Sequence, residues 1–216
     1  PRAIFLDFSK TFDMLRKEGL LFKLRKLKLH GNKYNYITNF LTDRTIQVRI
    51  GNSISTPYKI ANGVPQGSVI SPLLFILFMN DFPTLNNSNI QTSLYADDSA
   101  IWKSGRNIKF ITVQLQNQLD NIAKWCDKWG LKINTKKTQD LIITHKNLKT
   151  KDTPLLHLQK QELKIVDSAK FLGLTFDKRL NWKTHIENII KKTTPALNLL
   201  RSIVSHTWGA SKTVLL

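Results

Sequence analysis

The sequence has little cysteine, few acidic residues and no long apolar run, and each shortage excludes a class of protein. Its single cysteine, Cys126, rules out an internal disulfide and fits a reducing compartment. The longest apolar run, residues 69–79, is interrupted by Ser71 and Pro72 and is too short to cross a bilayer. No signal peptide is recognisable, and because the chain begins at Pro1 without a Met we expect it to be a fragment.

The shortage of acidic residues leaves a strongly basic chain. Its 15 Asp and Glu are outnumbered by 33 Lys and Arg, which gives a formal net charge of +18 and a pI near 10.1. With 216 residues, 41% of them hydrophobic, the chain is long enough to bury a sizeable core. A basic surplus on a folded chain predicts a polyanionic partner, either nucleic acid or an anionic membrane.

The hydrophobic pattern mixes strands and helices without strict alternation, which favours an α+β fold over a doubly wound sheet. Apolar side chains recur every three or four positions over 107–129, which predicts a helix with Cys126 packed in the core. Asp13 is the predicted N-cap of a helix over 14–29, and Pro195 should kink or split a helix over 182–204. The other predicted elements are strands at 3–8, 45–50, 57–60, 140–144, 162–166 and 169–176, a helix at 33–41, a buried helix after Pro72, a hairpin with arms 90–95 and 99–102, and a loop at 146–154.

Three carboxylates stand in apolar surroundings. Asp7 ends an apolar strand, and Asp97 and Asp98 are adjacent at the predicted hairpin turn. Like charges in such a setting need a cation, and carboxylate oxygens are the ligands that Mg²⁺ prefers. Clusters of this kind carry out phosphoryl transfer with two metal ions. The alternative is that the Asp pair is ordinary turn chemistry and Asp7 an incidental polar end.

The quartet YADD, residues 95–98, resembles the active-site hairpin of reverse transcriptases, and further motifs stand in the expected order around it. AIFLDFSKTFD, residues 3–13, is similar to the first motif of the palm. This resemblance implies that Asp7 binds metal, that the Phe8 carbonyl is a further ligand, and that Phe12 is a steric gate that selects deoxynucleotides. Core packing is the alternative for Phe12, and Thr11 departs from the alanine that is usual there.

Two more motifs extend the resemblance. GVPQGSVISPLLF, residues 63–75, is similar to the second motif, in which glycines such as Gly63 and Gly67 let the backbone approach a ligand and Gln66 lies along nucleotide and template. WGLKINTKKTQ, residues 129–139, resembles the fourth motif and implies that Lys137, or failing that Lys136, protonates the departing pyrophosphate. A lysine in a lysine run is equally typical of a solvated surface.

The residues 170–177 resemble a primer-grip hairpin, followed by a helix like that of a thumb. Together with FSKTFD and the second motif, they make the chain most similar to non-LTR, LINE-type retrotransposons of the jockey-like branch. The resemblance implies a right-hand polymerase fold: a palm with a ferredoxin-like antiparallel sheet and packed helices over 1–168, then the primer grip and the start of a helical thumb over 169–216. The fingers region that precedes the first motif in the family is expected to be missing before Pro1.

The implied activity is RNA-directed DNA polymerisation with two Mg²⁺ ions, for which Mn²⁺ could substitute. Asp7 and Asp97 would hold the ions and Asp98 would support them. The implied partners are an RNA template, a DNA primer and dNTPs, without a membrane or a disulfide partner. Lys-rich segments at 23–28, 132–137 and 146–151 are candidate tracks for the template–primer duplex, although each alone is typical of a solvated face. The implied location is intracellular: a cytoplasmic ribonucleoprotein, then the nucleus during target-primed reverse transcription.

Two alternatives stay open from the sequence. One is a truncated, inactive nucleic-acid-binding remnant of such an element, and the other is a reverse transcriptase of the group II intron or retron type. Without a fingers region we expect the chain alone to be inactive or very weakly active.

Overall fold

The structure is a computed structural model, and it describes residues 1–83, 90–145 and 153–203. The helices are α1 (Thr11–Met14), α2 (Lys17–Lys26), α3 (Asn32–Leu41), α4 (Ser71–Met79), α5 (Ile108–Trp129) and α6 (Lys183–Ile203). The strands are β1 (Arg2–Asp7), β2 (Arg44–Ile46), β3 (Arg49–Ile50), β4 (Ser53–Ile54), β5 (Tyr58–Ile60), β6 (Gln91–Tyr95), β7 (Asp98–Lys103), β8 (Gln139–Ile142), β9 (His157–Leu158), β10 (Gln161–Glu162), β11 (Lys164–Val166), β12 (Ser168–Phe171) and β13 (Leu174–Asp177).

The main sheet has the strand order β11-β8-β1-β7-β6, with β1 in the middle. All neighbours in it are antiparallel except β8 and β11, which run parallel. Helix α4 lies in sequence between β1 and β6, and α5 lies between β7 and β8. This βαββαβ succession with the order β8-β1-β7-β6 is the ferredoxin-like arrangement. The predicted α+β class and its ferredoxin-like sheet are therefore confirmed.

Helices α4 and α5 supply much of the core. Helix α4 begins with Ser71-Pro72, a favoured helix start, and is apolar on nearly every side. Helix α5 begins after Asn107, whose side-chain Oδ1 accepts hydrogen bonds from the backbone N–H groups of Lys109 and Phe110. Within the described residues, no helix combines the length and the apolar character that crossing a membrane requires.

The core placement predicted for Cys126 is confirmed. Cys126 is fully buried on the apolar stripe of α5. Burial, together with the neighbouring charge of Asp127, raises the pKa of its thiol to about 12. The thiol therefore stays protonated and inert at neutral pH.

The helix predicted over 14–29 is wrong at its start. The chain forms the short α1, leaves the helical conformation at Leu15 and Arg16, and enters α2 at Lys17. The Leu15 carbonyl accepts a hydrogen bond of 2.7 Å from the N–H of Gly63, so a tertiary contact replaces the helical one. Asp13 is not an N-cap: it lies inside α1.

Two further predictions concern the strand at 45–50 and the last helix. The strand predicted over 45–50 is divided into β2 and β3, since the Val48 N–H donates to the Ser55 hydroxyl at 2.9 Å. Pro195 does not split α6, which runs through it without interruption, and the alternative, a kink at Pro195, stays a prediction. Pro195 has no N–H to donate to the Lys191 carbonyl, and in the turn before it the hydroxyls of Thr193 and Thr194 donate to the carbonyls of Ile189 and Ile190.

The C-terminal hairpin of β12 and β13 packs against the main sheet. Phe5 of β1 lies with its ring centroid 5.5 Å from that of Phe171 and 5.9 Å from that of Phe176. Most of the loop predicted at 146–154 and the whole segment 204–216 lie outside the described residues.

Lys23 does not belong to a basic surface track, contrary to expectation. Its side chain is only 5% exposed, and its Nζ donates to the Phe78 carbonyl at 2.6 Å and also pairs with Asp81. The ammonium lies 4.0 Å from the Trp129 ring centroid and 4.6 Å from that of Trp125. Its charge is thus used inside the fold, where a carboxylate and aromatic faces offset the loss of water.

Candidate active site

The YADD residues form the tip of the hairpin that β6 and β7 make. Tyr95 pairs with Asp98, which leaves Ala96 and Asp97 as the two turn residues. Ala96 has a φ of 52°, in the left-handed region that costs a residue with a Cβ about 1–2 kcal/mol. Strain of this kind collects at functional sites, where the rest of the fold holds it in place.

Strand β1 places Asp7 beside this hairpin. Asp7 and Asp98 are directly opposite each other in the β1–β7 register, so their side chains stand on the same face of the sheet. The pKa of Asp98 is raised, first by the partial loss of solvation at the base of the turn and then by the negative charges of Asp97 and Asp7. Asp7 and Asp97 therefore both stand close enough to Asp98 to act on it at one end of the sheet.

The donors at this end suit a hard cation. Asp7 is half-buried, whereas Asp97 and Asp98 are exposed, and all their ligating atoms are oxygens. In the part of the chain that the structure describes, no three His, Cys, Asp or Glu side chains stand close enough to form a metal-ligand group. The carboxylates are thus neighbours without being gathered into a ligand set, and a shared ion would require them to change rotamer.

The first-motif aromatics are well ordered by packing. The Phe12 ring stacks on Phe75 of α4 with centroids 4.7 Å apart and planes at 26°. Phe12 is partly exposed, so one part of it packs on the core while another faces solvent. The Phe8 side chain is buried against Phe82, and its backbone forms a bridge with Ile133.

The second-motif loop lies against the first motif. The N–H of Val64 donates to the Phe12 carbonyl at 2.8 Å, and Gln66 Nε2 donates to Asp13 Oδ1 at 2.9 Å. A Cβ at Gly63 would stand 2.7 Å from the Asp13 carbonyl oxygen, so this glycine permits a close approach to the protein's own backbone, and its predicted approach to a ligand stays a prediction. Gly67 has a φ of 85° and open space where a side chain would be.

The fourth-motif turn is hydrogen-bonded to the backbone of Asp7. The Asn134 N–H donates to the Asp7 carbonyl at 2.7 Å, and the Asp7 N–H donates to Thr138 Oγ1 at 3.4 Å. Lys136 and Lys137 lie between them on the turn, and both side chains are exposed. The structure brings this turn to Asp7 but does not distinguish the two lysines.

Sequence reasoning missed Asn134 and Thr138 as supports of Asp7. Both stand inside the quoted fourth motif, so the motif itself was the available signal. It also missed Arg44, which donates to the carbonyls of the second-motif loop. A single arginine before a short strand carries no sequence signal for that role.

The family model described as "Reverse transcriptase (RNA-dependent DNA polymerase)" matches residues 2–176 of the chain. The chain belongs to the reverse transcriptase family. The resemblance read from the motifs is thereby confirmed.

Two curated relatives of this reverse transcriptase chain come from mobile elements of Drosophila melanogaster. The "Probable RNA-directed DNA polymerase from transposon BS" of Drosophila melanogaster is 34% identical over 210 residues, which are 94% of this chain and 23% of that protein. The "RNA-directed DNA polymerase from mobile element jockey" of the same fly is 32% identical over 191 residues, 86% of this chain and 20% of that protein. The chain thus spans about a fifth of the length of these relatives.

Solved structures support the fold of this reverse transcriptase chain. Apo telomerase from Candida tropicalis superimposes with a TM-score of 0.57 at 14% identity, over 84% of this chain and 34% of that one. Telomerase from Candida albicans, solved with a fragment of telomeric RNA, gives a TM-score of 0.57 at 16% identity, over 82% of this chain and 29% of that one. At these identities the likeness concerns the fold alone, a right-hand polymerase palm.

Proposed function

We propose that the chain is the palm and the beginning of the thumb of an RNA-directed DNA polymerase of a non-LTR retrotransposon. The observation that carries the proposal is the register of Asp7 with Asp98 at the strained YADD turn. The fourth-motif turn, bonded to the Asp7 backbone, supports it. In this assignment residues 1–168 are palm, and residues 169–216 are primer grip and start of thumb.

The oxygen donors of Asp7, Asp97 and Asp98 fit Mg²⁺, with Mn²⁺ as a substitute, and the Phe8 carbonyl is a further candidate ligand. Bound there, divalent ions would supply charge stabilisation for in-line phosphoryl transfer from a dNTP to a DNA 3′-hydroxyl. The protein contributes position, because β1 and the β6–β7 hairpin hold the carboxylates on one face of a rigid sheet. Lys137 is the proposed proton donor to pyrophosphate, with Lys136 as the alternative.

Phe12 is the proposed gate against ribonucleotides. Its ring is braced by Phe75, so it could not swing away to admit a 2′-hydroxyl without losing that stacking. Gln66, fixed by Asp13, and Gly67, with open space around it, are the proposed contacts to nucleotide and template.

The proposed partners are an RNA template paired with a DNA primer, and dNTPs. The net charge of +18 supports a phosphate-rich partner, which the protein would bind through its phosphates and independently of its base sequence. An intracellular location follows as part of the proposal: a cytoplasmic ribonucleoprotein first, and the nucleus when the element is copied.

The test is Asp97→Asn in a protein that carries this chain together with an upstream fingers segment. We expect incorporation of dNTPs on an RNA template with a DNA primer to fall by at least about 10³-fold, because a charge that stabilises the transition state is lost. Binding of the template–primer should survive. Asp120→Asn, which removes an exposed carboxylate on α5, is the matched control and should retain parental activity. Incorporation near the parental level in Asp97→Asn would show the assignment to be wrong.

A further inference from the structure

Arg44 closes the base of the β2–β5 ribbon onto the second-motif loop. Its Nη2 donates to the carbonyl oxygens of Asn62, at 2.9 Å, and Gly63, at 2.6 Å. Arg44 pairs with Ile60 in the β2–β5 register. Because Asn62 and Gly63 follow Ile60 closely in the chain, their carbonyls are within reach of the guanidinium. One side chain thereby fixes where the loop leaves the ribbon.

The opposite side of the loop is fixed by the first motif. The Gly63 N–H donates to the Leu15 carbonyl at 2.7 Å, and the Val64 N–H donates to the Phe12 carbonyl at 2.8 Å. A Cβ at Gly63 would lie 2.8 Å from the Phe12 carbonyl oxygen, closer than real Cβ atoms approach. The loop is therefore held between Arg44 and the segment that bears Phe12, with no room to move toward that segment.

Burial of the Arg44 charge is electrostatically unfavourable unless the hydrogen bonds to the loop offset it. The guanidinium is partly buried, and burial lowers the pKa of Arg44. In the described part of the chain no carboxylate pairs with it, and its Nε is buried without a hydrogen-bond partner. The two loop carbonyls therefore compensate the desolvated charge of Arg44. A neutral side chain at this position would need no such compensation.

We propose that Arg44 is a positioning residue for nucleotide selection. By pressing the second-motif loop against the first motif, it sets the place of Phe12 and, through the loop, of Gln66, which is bonded to Asp13. The inference rests on the proposed function, in which Phe12 excludes the ribose 2′-hydroxyl and Gln66 contacts nucleotide and template. Arg44 itself lines a cleft of about 750 Å³ that Asp13 and Gln66 also line.

The first test needs no polymerase activity. Amide hydrogen exchange at Gly63 and Val64 is compared among the parent, Arg44→Ala, Arg44→Lys and a control, Arg49→Ala. Arg49 lies in β3, whose hairpin with β4 connects β2 to β5; it is exposed, and its Nε donates locally, to the Gly51 carbonyl at 3.1 Å. We expect exchange of both amides to be about tenfold or more faster in Arg44→Ala, intermediate in Arg44→Lys, and unchanged in Arg49→Ala. Unchanged exchange in both Arg44 variants would overturn the proposal.

The second test measures selection in a protein that carries this chain with a fingers segment. In Arg44→Ala we expect the KM for dNTP to rise by about 10–100-fold and the preference for deoxy- over ribonucleotides to fall by about tenfold. Arg44→Lys should be intermediate and Arg49→Ala parental. A folded Arg44→Lys with parental KM and parental selectivity would overturn the proposal, as would an Arg49→Ala as impaired as Arg44→Ala.

The two tests separate the inference from the proposed function. If Arg44→Ala does not fold, Arg44→Lys decides both measurements. A parent that incorporates no nucleotide would contradict the proposed function, and the exchange rates of Gly63 and Val64 would still decide whether Arg44 holds the loop.

Discussion

Asp98 begins β7 with Asp7 directly opposite and Asp97 next to it, and its charged form is unfavourable there. Partial loss of solvation, then repulsion by Asp97 and Asp7, raises its pKa above the ordinary value of 3.8. At a pH below this ordinary pKa, the Asp98 carboxyl is protonated in both the folded and the unfolded chain, so it does not lower the stability of the fold. As the pH rises through the raised pKa, the folded chain must accept a charge that the unfolded chain carries more easily, so stability is lost.

This linkage gives a prediction for Asp98→Asn. Because the variant never carries the charge, its melting temperature should exceed that of the parent at pH 7 in metal-free buffer, and the difference should shrink as the pH falls toward 3. The measurement is thermal unfolding followed by circular dichroism across that range. Asp120→Asn on the exposed side of α5 should show no such pH-dependent difference. A parent more stable than Asp98→Asn at pH 7 would contradict the electrostatic description of the site.

At the scale of elements, the contact between the second-motif loop and the first motif decides both local structure and the site. The Gly63 N–H of the loop donates to the Leu15 carbonyl, which in a continuous helix would accept a helical hydrogen bond. This contact divides α1 from α2. The Val64 N–H of the same loop donates to the carbonyl of Phe12, the proposed gate. Both hydrogen bonds require the loop backbone to come very close to the backbone of the first motif at Gly63, where φ is 84°.

Two glycines of this loop allow a matched comparison. Gly63→Ala combines a left-handed φ with a Cβ 2.7–2.9 Å from atoms of Phe12 and Asp13, so we expect it to destabilise the fold by about 3 kcal/mol or more. Gly67→Ala has a similar φ of 85° but open space, so only the conformational cost of about 1 kcal/mol should remain. Urea unfolding of the two variants measures both effects. Equal losses of stability would show that the close approach at Gly63 has no energetic weight.

Elements with a strong local pattern were predictable from sequence. The stripe of α5 and the arms of the YADD hairpin needed no tertiary information, and both are present. What failed depended on distant partners: the break at Leu15 is caused by Gly63, and the burial of Lys23 by aromatic residues of α4 and α5. For the site, sequence motifs named the residues, whereas the register of Asp7 with Asp98 required the sheet.

At the scale of the whole molecule, charge is the dominant property. The described ion pairs each join one positive and one negative group, so they leave the net charge of +18 unchanged, and Lys136 and Lys137 are exposed on the turn that is hydrogen-bonded to the Asp7 backbone. Lys23, which also lies in a basic run, is buried and contributes nothing to this surface. The basic runs therefore place part of their charge inside the core and part on the surface, where it is accessible to the proposed phosphate-rich partner.

The exposed charge predicts steeply salt-dependent binding of an RNA–DNA hybrid. If several phosphates are contacted, the association constant should fall by about 10³-fold between 50 and 200 mM salt, because condensed counterions are released on binding. Fluorescence anisotropy with a labelled hybrid measures this slope. Replacing Lys136 and Lys137 by Gln should make the slope shallower, whereas Lys23→Met should leave it unchanged in the folded fraction. Binding insensitive to salt would contradict a phosphate-tracking surface.

The most direct measurement is single-turnover incorporation of one dNTP by Asp7→Asn, with an RNA template, a DNA primer and Mg²⁺, in a protein that also carries a fingers segment. Affinity for the template–primer is measured in the same samples. We expect the rate to fall by at least about 10³-fold while affinity stays within about threefold of the parent, since the carboxylate acts on the reacting groups and not on the duplex. A rate close to that of the parent would contradict the assignment of Asp7, and with it the polymerase site at the YADD hairpin.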